Sequence, residues 1–345
     1  MRLSTSSLVL AALAGLVGCA PEAPTGAVAD AGAPAFAQGV AHDQLGWAPA
    51  VRVDLIPGAY PAFNTPSLDG CPFPSRDGKM FFIASNRPGG LGGIDIWVAT
   101  RESADDPWGA PVNVGAPVNS AANDFCPTLA RDGHTFYFIS NRAGGCGGDD
   151  IYTTRLRDDR GFDAPEHLAC DADGGPNSAG NEASPVPAQE PGSGRVLFFS
   201  STRAGGPGAE APGVLSGDAD IYKSEWQGGA FGPAALVPVV NSAFNDGQPN
   251  VTRDVLELFF FSNRPGTLGG NDIYSATRAK AHDAWSEPRN LGPNVNSAAG
   301  DETRPSPTWD GGTLYFGSTR PGVGSTDIYV TTRLRQPGKS NGKSK

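Results

Sequence analysis

Five copies of one short pattern constrain the fold of this chain more than any other feature of its sequence. In each copy, Ser-x-Arg is followed after a Gly-rich stretch by Asp-Ile and an aromatic residue. The copies begin at Ser85, Ser140, Ser201, Ser262 and Ser318. Successive arginines of the pattern lie 55, 61, 61 and 56 residues apart, which is long enough for several short strands per copy. Self-similarity at such a regular spacing predicts a repeat architecture.

The sequence around each copy predicts the strands of one unit. An apolar run precedes each Ser of the pattern, at 80–83, 136–139, 196–199, 256–261 and 314–316. Both side-chain parities of these runs are apolar, which is typical of a strand covered on both faces. Turn sequences such as Asp77-Gly78 come before the runs, and Gly-rich hairpins follow them. A further strand is marked by an aromatic residue at Trp108, Phe162, Phe231 and Trp285.

The two ends of the array complement each other. The fifth copy stops at Arg335 without a strand of the last type, whereas Trp47, with Val53 six residues on, begins such a strand before the first copy. We infer that the N-terminal strand completes the last unit and closes a ring, which removes free sheet edges. The predicted fold is therefore all-β: a five-bladed β-propeller of four-stranded blades, closed by an N-terminal strand.

The succession Asp-x-x-Pro, Asp-Gly, Phe-x-Ser-x-Arg and Asp-Ile-Tyr resembles the TolB-like, WD-related propeller repeat of bacterial envelope proteins. The resemblance covers about residues 47 to 335. It implies a propeller but no particular activity, because one fold supports many functions. TolB-like propellers often have one blade more than the five copies found here, and in this respect the chain departs from that family.

The first nineteen residues predict an export signal, with Arg2 before a short apolar run. Leu16-Val17-Gly18-Cys19 resembles the lipobox of bacterial lipoproteins, which implies that Cys19 is lipidated; the alternative is a plain signal peptide with an incidental cysteine. The following Ala20 implies the outer membrane by Gram-negative sorting rules. We expect a lipoprotein signal peptide at 1–19, a disordered tether at 20–45, the propeller at 46–335 and a disordered tail at 336–345.

Composition and motifs exclude several classes of function. The formal net charge of −10 argues against a nucleic-acid partner, because affinity for the phosphate backbone needs clustered Lys and Arg. The sequence contains no Gly-x-Ser-x-Gly elbow, no His-Glu-x-x-His and no phosphate-binding Gly-Lys-Ser/Thr loop. We therefore expect no catalytic residue, no cofactor and no bound metal.

Each copy also supplies charged residues at equivalent positions. A carboxylate lies three residues before the Pro of each first strand, and we expect these five side chains to form a ring near one mouth of the central channel: Asp69, Asp124, Glu182, Asp246 and Glu302. Such a ring either binds a cation, or its members pair with the repeat arginines or cap backbone amides. The repeat arginines are Arg87, Arg142, Arg203, Arg264 and Arg320. Pairing is the interpretation that we favour, because a residue present in every blade usually serves the blade. The repeat aspartates are expected to bond turn amides or the arginines: Asp95, Asp150, Asp220, Asp272 and Asp327.

Four cysteines remain besides Cys19, an even number that suits an oxidising compartment. Cys71 and Cys126 occupy equivalent positions in adjacent copies, and Cys146 and Cys170 both belong to the second copy or its exit. We favour disulfides between the members of each pair, with free buried cysteines as the alternative.

These observations favour a monomeric, non-enzymatic scaffold that binds an envelope protein or a glycan, with the lipid anchor as its only contact with the membrane. The alternative is a propeller glycosidase, or another carbohydrate-active enzyme, that uses the channel carboxylates. We do not expect an enzyme, because catalysis needs individual carboxyl groups with distinct pKa values rather than five equivalent ones.

Overall fold

The computed structural model of the chain describes residues 46–207 and 218–334. The expectations for Cys19, for the segments 1–19 and 20–45 and for the tail at 336–345 lie outside the described residues. No helix within the described part is long and apolar enough to cross a bilayer.

The described residues form five sheets, each of four antiparallel strands. In the first blade these are β2 (Asp69–Pro74), β3 (Met80–Ser85), β4 (Asp95–Thr100) and β5 (Val112–Asn113). The second contains β6 (Asp124–Leu129), β7 (Thr135–Ser140), β8 (Asp150–Arg155) and β9 (Glu166–His167). The third contains β10 (Glu182–Glu190), β11 (Gly194–Ser201), β12 (Asp220–Gln227) and β13 (Ala230–Leu236).

The fourth blade contains β14 (Asp246–Val251), β15 (Glu257–Ser262), β16 (Asp272–Thr277) and β17 (Arg289–Asn290). The fifth contains β18 (Glu302–Pro307), β19 (Thr313–Ser318) and β20 (Asp327–Thr332), and its fourth strand is β1 (Val51–Arg52). Within the described residues, two short 3-10 helices lie at Val53–Leu55 and Asp171–Asp173. The prediction of an all-β, five-bladed propeller is confirmed.

The ring closes through the N-terminal segment. Val51 lies opposite Val330, and Arg52 lies opposite Tyr329. Trp47 forms an isolated bridge with Arg333 and is only 4% exposed. The last blade thus takes its fourth strand from the other end of the array, as the sequence predicted.

The second strand of each blade forms the core. Phe81, Phe82 and Ile83 of β3 are at most 1% exposed, although their side chains point alternately to the two faces of the sheet. One face packs in a cluster with Tyr315 of the last blade, and the other packs in a cluster with Phe136 of the second. Because neighbouring blades cover both faces, the central positions of these strands are apolar on both faces.

A contact that is repeated in each blade also joins the third strand to the connection that leads to the next blade. The side chain of Asn119 pairs with the main chain of Ile96: its Oδ1 accepts the Ile96 N–H at 2.9 Å, and its Nδ2 donates to the Ile96 oxygen at 2.8 Å. Asn64 does the same with Ile328 across the closure, at 2.7 and 3.1 Å. These amides satisfy the main-chain groups of a buried isoleucine in the third strand.

Each first strand carries a β-bulge. The register with the second strand shifts between Gly70 and Phe73 in the first blade, and at the equivalent place in the other four. The bulged residue has a positive φ and comes directly before a proline in every blade: Cys71, Cys126, Ser184, Gln248 and Arg304. Proline fits here because it has no N–H to lose from the ladder. The bulge decides which side chains reach the centre of the ring.

Candidate functional site

The five ring carboxylates are buried and paired with the repeat arginines. Each carboxylate is 0% exposed. The ion pairs are Asp69 with Arg87 at 2.5 Å, Asp124 with Arg142 at 2.7 Å, Glu182 with Arg203 at 3.1 Å, Asp246 with Arg264 at 2.5 Å and Glu302 with Arg320 at 2.7 Å. None of the five lines the central cavity. The structure therefore contains no open ring of carboxylates within the described residues.

The other hydrogen bonds of each carboxylate–arginine pair join the blade to the segment that precedes its first strand. The second oxygen of Asp69 accepts the Thr65 N–H at 2.6 Å, while Arg87 donates to the Ser85 hydroxyl and to the Phe63 carbonyl. The guanidinium also lies 5.3 Å from the centre of the Trp97 ring, which is the aromatic residue of the repeat pattern. Charge, hydrogen bonds and stacking make the pair a structural clamp.

The repeat aspartates begin the third strand of each blade, and four of them accept N–H groups of the Gly-rich hairpin that precedes the strand. Asp95 accepts the Leu91 N–H at 2.7 Å, and Asp272 accepts the Leu268 N–H at the same distance. Asp150 and Asp327 accept the N–H of Cys146 and of Val323 in the same way. At Asp220, burial raises the pKa to about 7, with further contributions from Asp246 and Asp218.

The cysteines form two disulfides in the structure. Cys71 and Cys126 join the first strands of the first and second blades, with Cα atoms 5.0 Å apart. Cys146 and Cys170 join the hairpin of the second blade to its exit, with Cα atoms 5.7 Å apart. Although His167 lies close to Cys146 and Cys170, the two sulfurs are bonded to each other and are therefore not free to bind a metal as thiolates.

The bulged residues surround a small cavity on the axis of the ring. The cavity has a volume of about 30 Å³ and contacts all five first strands. We call it the axial cavity, lined by Cys71, Cys126, Ser184, Gln248 and Arg304 with the prolines that follow them. The sequence pattern identified Cys71 and Cys126 as equivalent positions, but the other three residues were not recognised as members of the same set, because only the cysteines were compared between copies. The common signal was the proline after each of them.

A much larger cavity opens at the other end of the first strands. Its volume is about 980 Å³. The hairpins between the first and second strands of the third, fourth and fifth blades form most of its wall. We call it the turn-face cavity, lined among others by Glu190, Arg253, Leu256, Glu257, Trp309 and Arg333.

Two buried glutamates lie on the wall of the turn-face cavity. Glu190 is 3% exposed and accepts hydrogen bonds from Arg278 at 2.7 Å and from Lys223 at 3.1 Å. Glu257 is 5% exposed and accepts one from Arg333 at 2.7 Å. Neither position carries a carboxylate in every blade, so these glutamates break the symmetry of the repeat.

Three exposed arginines surround one indole at the mouth of this cavity. The guanidinium carbons of Arg76, Arg131 and Arg253 lie 5.1, 5.7 and 5.6 Å from the centre of the Trp309 ring. No carboxylate of the described residues forms an ion pair with any of the three. All four residues come directly before the turn aspartate of their blades, a signal that was present in the sequence but was not recognised. Three guanidinium groups therefore converge on one indole at this mouth.

Comparisons with known proteins agree on the fold. No family model matches the sequence, and no curated protein is detectably similar. Among solved structures, the catalytic domain of a Coprinopsis cinerea GH62 α-L-arabinofuranosidase is 13% identical, with a TM-score of 0.52 over 84% of this chain and 97% of that one. An endo-arabinase from Bacteroides thetaiotaomicron is 14% identical, with a TM-score of 0.52 over 82% and 99%. A TolB candidate from Agrobacterium tumefaciens is 15% identical, with a TM-score of 0.45 over 79% and 82%.

These similarities correct one expectation. A family-43 glycoside hydrolase and an α-L-arabinofuranosidase from Lactobacillus brevis share the fold as well. We expected no enzyme because five equivalent carboxylates suit catalysis poorly. That argument considered only the symmetric ring, whereas the same architecture supports glycoside hydrolases, and the described structure contains asymmetric carboxylates elsewhere. The expectation that the chain is not an enzyme was wrong.

Proposed function

We propose that this chain is a carbohydrate-active enzyme that acts on an acidic glycan in the turn-face cavity. The observation that carries the proposal is the wall of this cavity, which combines two buried glutamates with an indole and unpaired arginines. Its volume of about 980 Å³ suits a ligand of several sugar rings. The glycoside hydrolases that share the fold support the proposal at the level of architecture only.

The two glutamates are the proposed catalytic carboxylates. Glycoside hydrolysis usually needs two carboxyl groups on either side of the scissile bond. Glu190 and Glu257 come from adjacent blades and line the same cavity. We assign one of them the role of proton donor and the other the role of nucleophile or general base, the two roles that this reaction needs.

The mouth of the cavity indicates the class of glycan. Arg76, Arg131 and Arg253 offer guanidinium groups that no described carboxylate engages, and a guanidinium binds a carboxylate through two parallel hydrogen bonds. Trp309 offers an apolar surface beside them. A sugar that carries a carboxylate, such as a uronic acid, satisfies both features, whereas a neutral glycan leaves the arginines unpaired.

The test is a comparison of wild type with Glu190→Gln and Glu257→Gln on acidic and neutral polysaccharides, with release of reducing ends as the measurement. We expect wild type to cleave an acidic glycan, and each variant to lose a factor of about 100 or more in kcat. Glu302→Gln is the matched control, because it breaks a buried glutamate–arginine pair outside the cavity and should retain kcat if it folds. Activity that survives in both cavity variants, or wild type inactive on every acidic glycan, would contradict the proposal.

The location in the cell envelope remains a prediction from the lipobox. Wild type is expected to partition with membranes, and Cys19→Ser is expected to be soluble or unprocessed. Membrane association that is unchanged in the variant would count against lipidation at Cys19.

A further inference from the structure

The axial cavity contains a guanidinium without a counter-ion. Arg304 is the bulged residue of β18, and its side chain lines the cavity. Its Nε is buried and has no hydrogen-bond partner. Within the described residues, no carboxylate forms an ion pair with this guanidinium. The five repeat arginines, in contrast, each have a buried carboxylate at 2.5 to 3.1 Å.

The surroundings of Arg304 are neutral. The other bulged residues contribute a disulfide, a hydroxyl and an amide: Cys71 with Cys126, Ser184 and Gln248. The carboxylates of Glu302 and Asp69 are near in sequence to this cavity, but each is held by its own arginine. No titratable group of the five first strands is therefore available to neutralise Arg304.

The neighbouring blade makes room for the charge. A Cβ atom on Gly70 would lie 2.9 Å from Nη1 of Arg304, which is closer than side chains normally approach. Gly70 belongs to β2, on the far side of the closure between the last and first blades. The absence of a side chain at this position lets the guanidinium lie over the backbone of that strand.

The charge persists at neutral pH. Burial lowers the pKa of Arg304 to about 10, which still leaves the guanidinium protonated under ordinary conditions. An isolated buried charge is costly unless it is paired or hydrogen-bonded. A mobile ion from solvent can supply the missing charge.

The cavity also contains a second polar group without a partner. The side-chain oxygen Oε1 of Gln248 is buried and accepts no hydrogen bond. Since the oxygen and nitrogen of an amide exchange places on a half-turn about the last side-chain bond, Gln248 can direct its NH₂ group into the cavity. Arg304 and Gln248 then provide donors from two adjacent blades.

We propose that the axial cavity binds one small monovalent anion of the size of chloride, held by Arg304 and Gln248. The volume of about 30 Å³ is enough for about one or two bodies of the size of water. Phosphate, sulfate and sugar carboxylates are too large for it. The site differs from the turn-face cavity, so it stands or falls independently of the proposed glycan site.

The first test measures thermal unfolding while chloride replaces gluconate at constant ionic strength. An anion that binds only the folded state raises the melting temperature by mass action, so we expect wild type to be stabilised as chloride rises. Arg253→Met is the matched control, because it removes an unpaired arginine outside the axial cavity, and it should keep the full response. Arg304→Met should lose the response. Equal responses in Arg304→Met and wild type, or none in wild type, would overturn the proposal.

The second test does not depend on a variant that folds. Crystals of the wild-type protein are soaked in bromide, and anomalous scattering locates the ion. We expect a bromide peak in the axial cavity within hydrogen-bonding distance of the Arg304 guanidinium. Well-occupied peaks confined to the protein surface, with none in the cavity, would refute the site.

Discussion

Three of the settings that arginine side chains occupy in the described residues differ in what they contribute. Arg264 is clamped by Asp246 at 2.5 Å, Arg101 lies 4.0 Å from the centre of the Trp108 ring, and Arg253 lies at the mouth of a cavity without a carboxylate partner. The first two settings recur from blade to blade and serve the fold. The third is found in only some of the blades, and it leaves the guanidinium open to an anionic ligand.

A carboxyl group in the third blade links stability to pH. Burial raises the pKa of Asp220 from 3.8 to about 7, so the folded state holds a proton that an unfolded chain releases near its ordinary pKa. Between about pH 4 and pH 7 the folded state therefore binds more protons, and the stability contributed by this group falls as the pH rises through that range.

Asp220→Asn removes this titration and keeps the shape of the side chain. We expect the melting temperature of the variant, relative to wild type, to be higher at pH 8 than at pH 4. Scanning calorimetry at the two pH values measures the difference, and Asp283→Asn on the surface is the control. A difference between Asp220→Asn and wild type that is the same at both pH values would contradict the assignment.

At the scale of residues, sequence reasoning was accurate where a position recurs in all five copies. The Ser-x-Arg pattern identified Arg264 as one of five equivalent arginines, and the spacing before each Pro identified Asp246 as one of five equivalent carboxylates. Pairing of each carboxylate with an arginine was the favoured interpretation. Arg304 and Trp309 were missed because the residues at the equivalent positions of other blades are of different types. Their environment is set by the bulge and by the turn, which depend on backbone geometry rather than on residue type.

At the scale of elements, the bulged first strand organises the centre of the ring. The extra residue bends the strand and turns one side chain toward the axis. Two such side chains are Cys71 and Cys126, so the bulges also determine which cysteines can meet. Apolar periodicity predicted the second strands well, but a bulge of one residue does not change the pattern enough to be recognised without comparing the copies.

The two disulfides are predicted to contribute differently to stability. Cys71–Cys126 spans 55 residues and Cys146–Cys170 spans 24. In the chain-entropy model, closing these loops in the unfolded state contributes about 4 and about 3 kcal/mol. We expect the Cys71→Ser, Cys126→Ser double variant to be less stable than the Cys146→Ser, Cys170→Ser double variant.

Urea unfolding of both double variants, beside oxidised and reduced wild type, measures the two contributions. Reduced wild type should be less stable than either variant, since it lacks both bonds. The opposite order of the two double variants would show that the link between the first two blades is the weaker constraint.

At the scale of the whole molecule, the ring depends on a contact between distant parts of the sequence. Ala48 donates its N–H to the Thr332 oxygen at 2.9 Å, and the Arg333 guanidinium lies 4.4 Å from the centre of the Trp47 ring. This closure was predictable because a fourth strand was missing at one end and present at the other. The position of the large cavity was not predictable in this way, because it depends on how turns from several blades converge.

Two truncations test the closure directly. A chain that begins at residue 46 keeps Trp47 and β1, and we expect it to unfold at the same temperature as the full chain. A chain that begins at residue 54 loses both, together with Val53, which is 0% exposed. The loss of buried Trp47 alone should cost about 3–5 kcal/mol, and the exposed edge of β20 should promote aggregation.

Adding a peptide of residues 46–56 to the shorter chain should restore part of the lost stability by pairing with β20. Equal melting temperatures of the two truncated chains would show that the N-terminal strand does not close the ring.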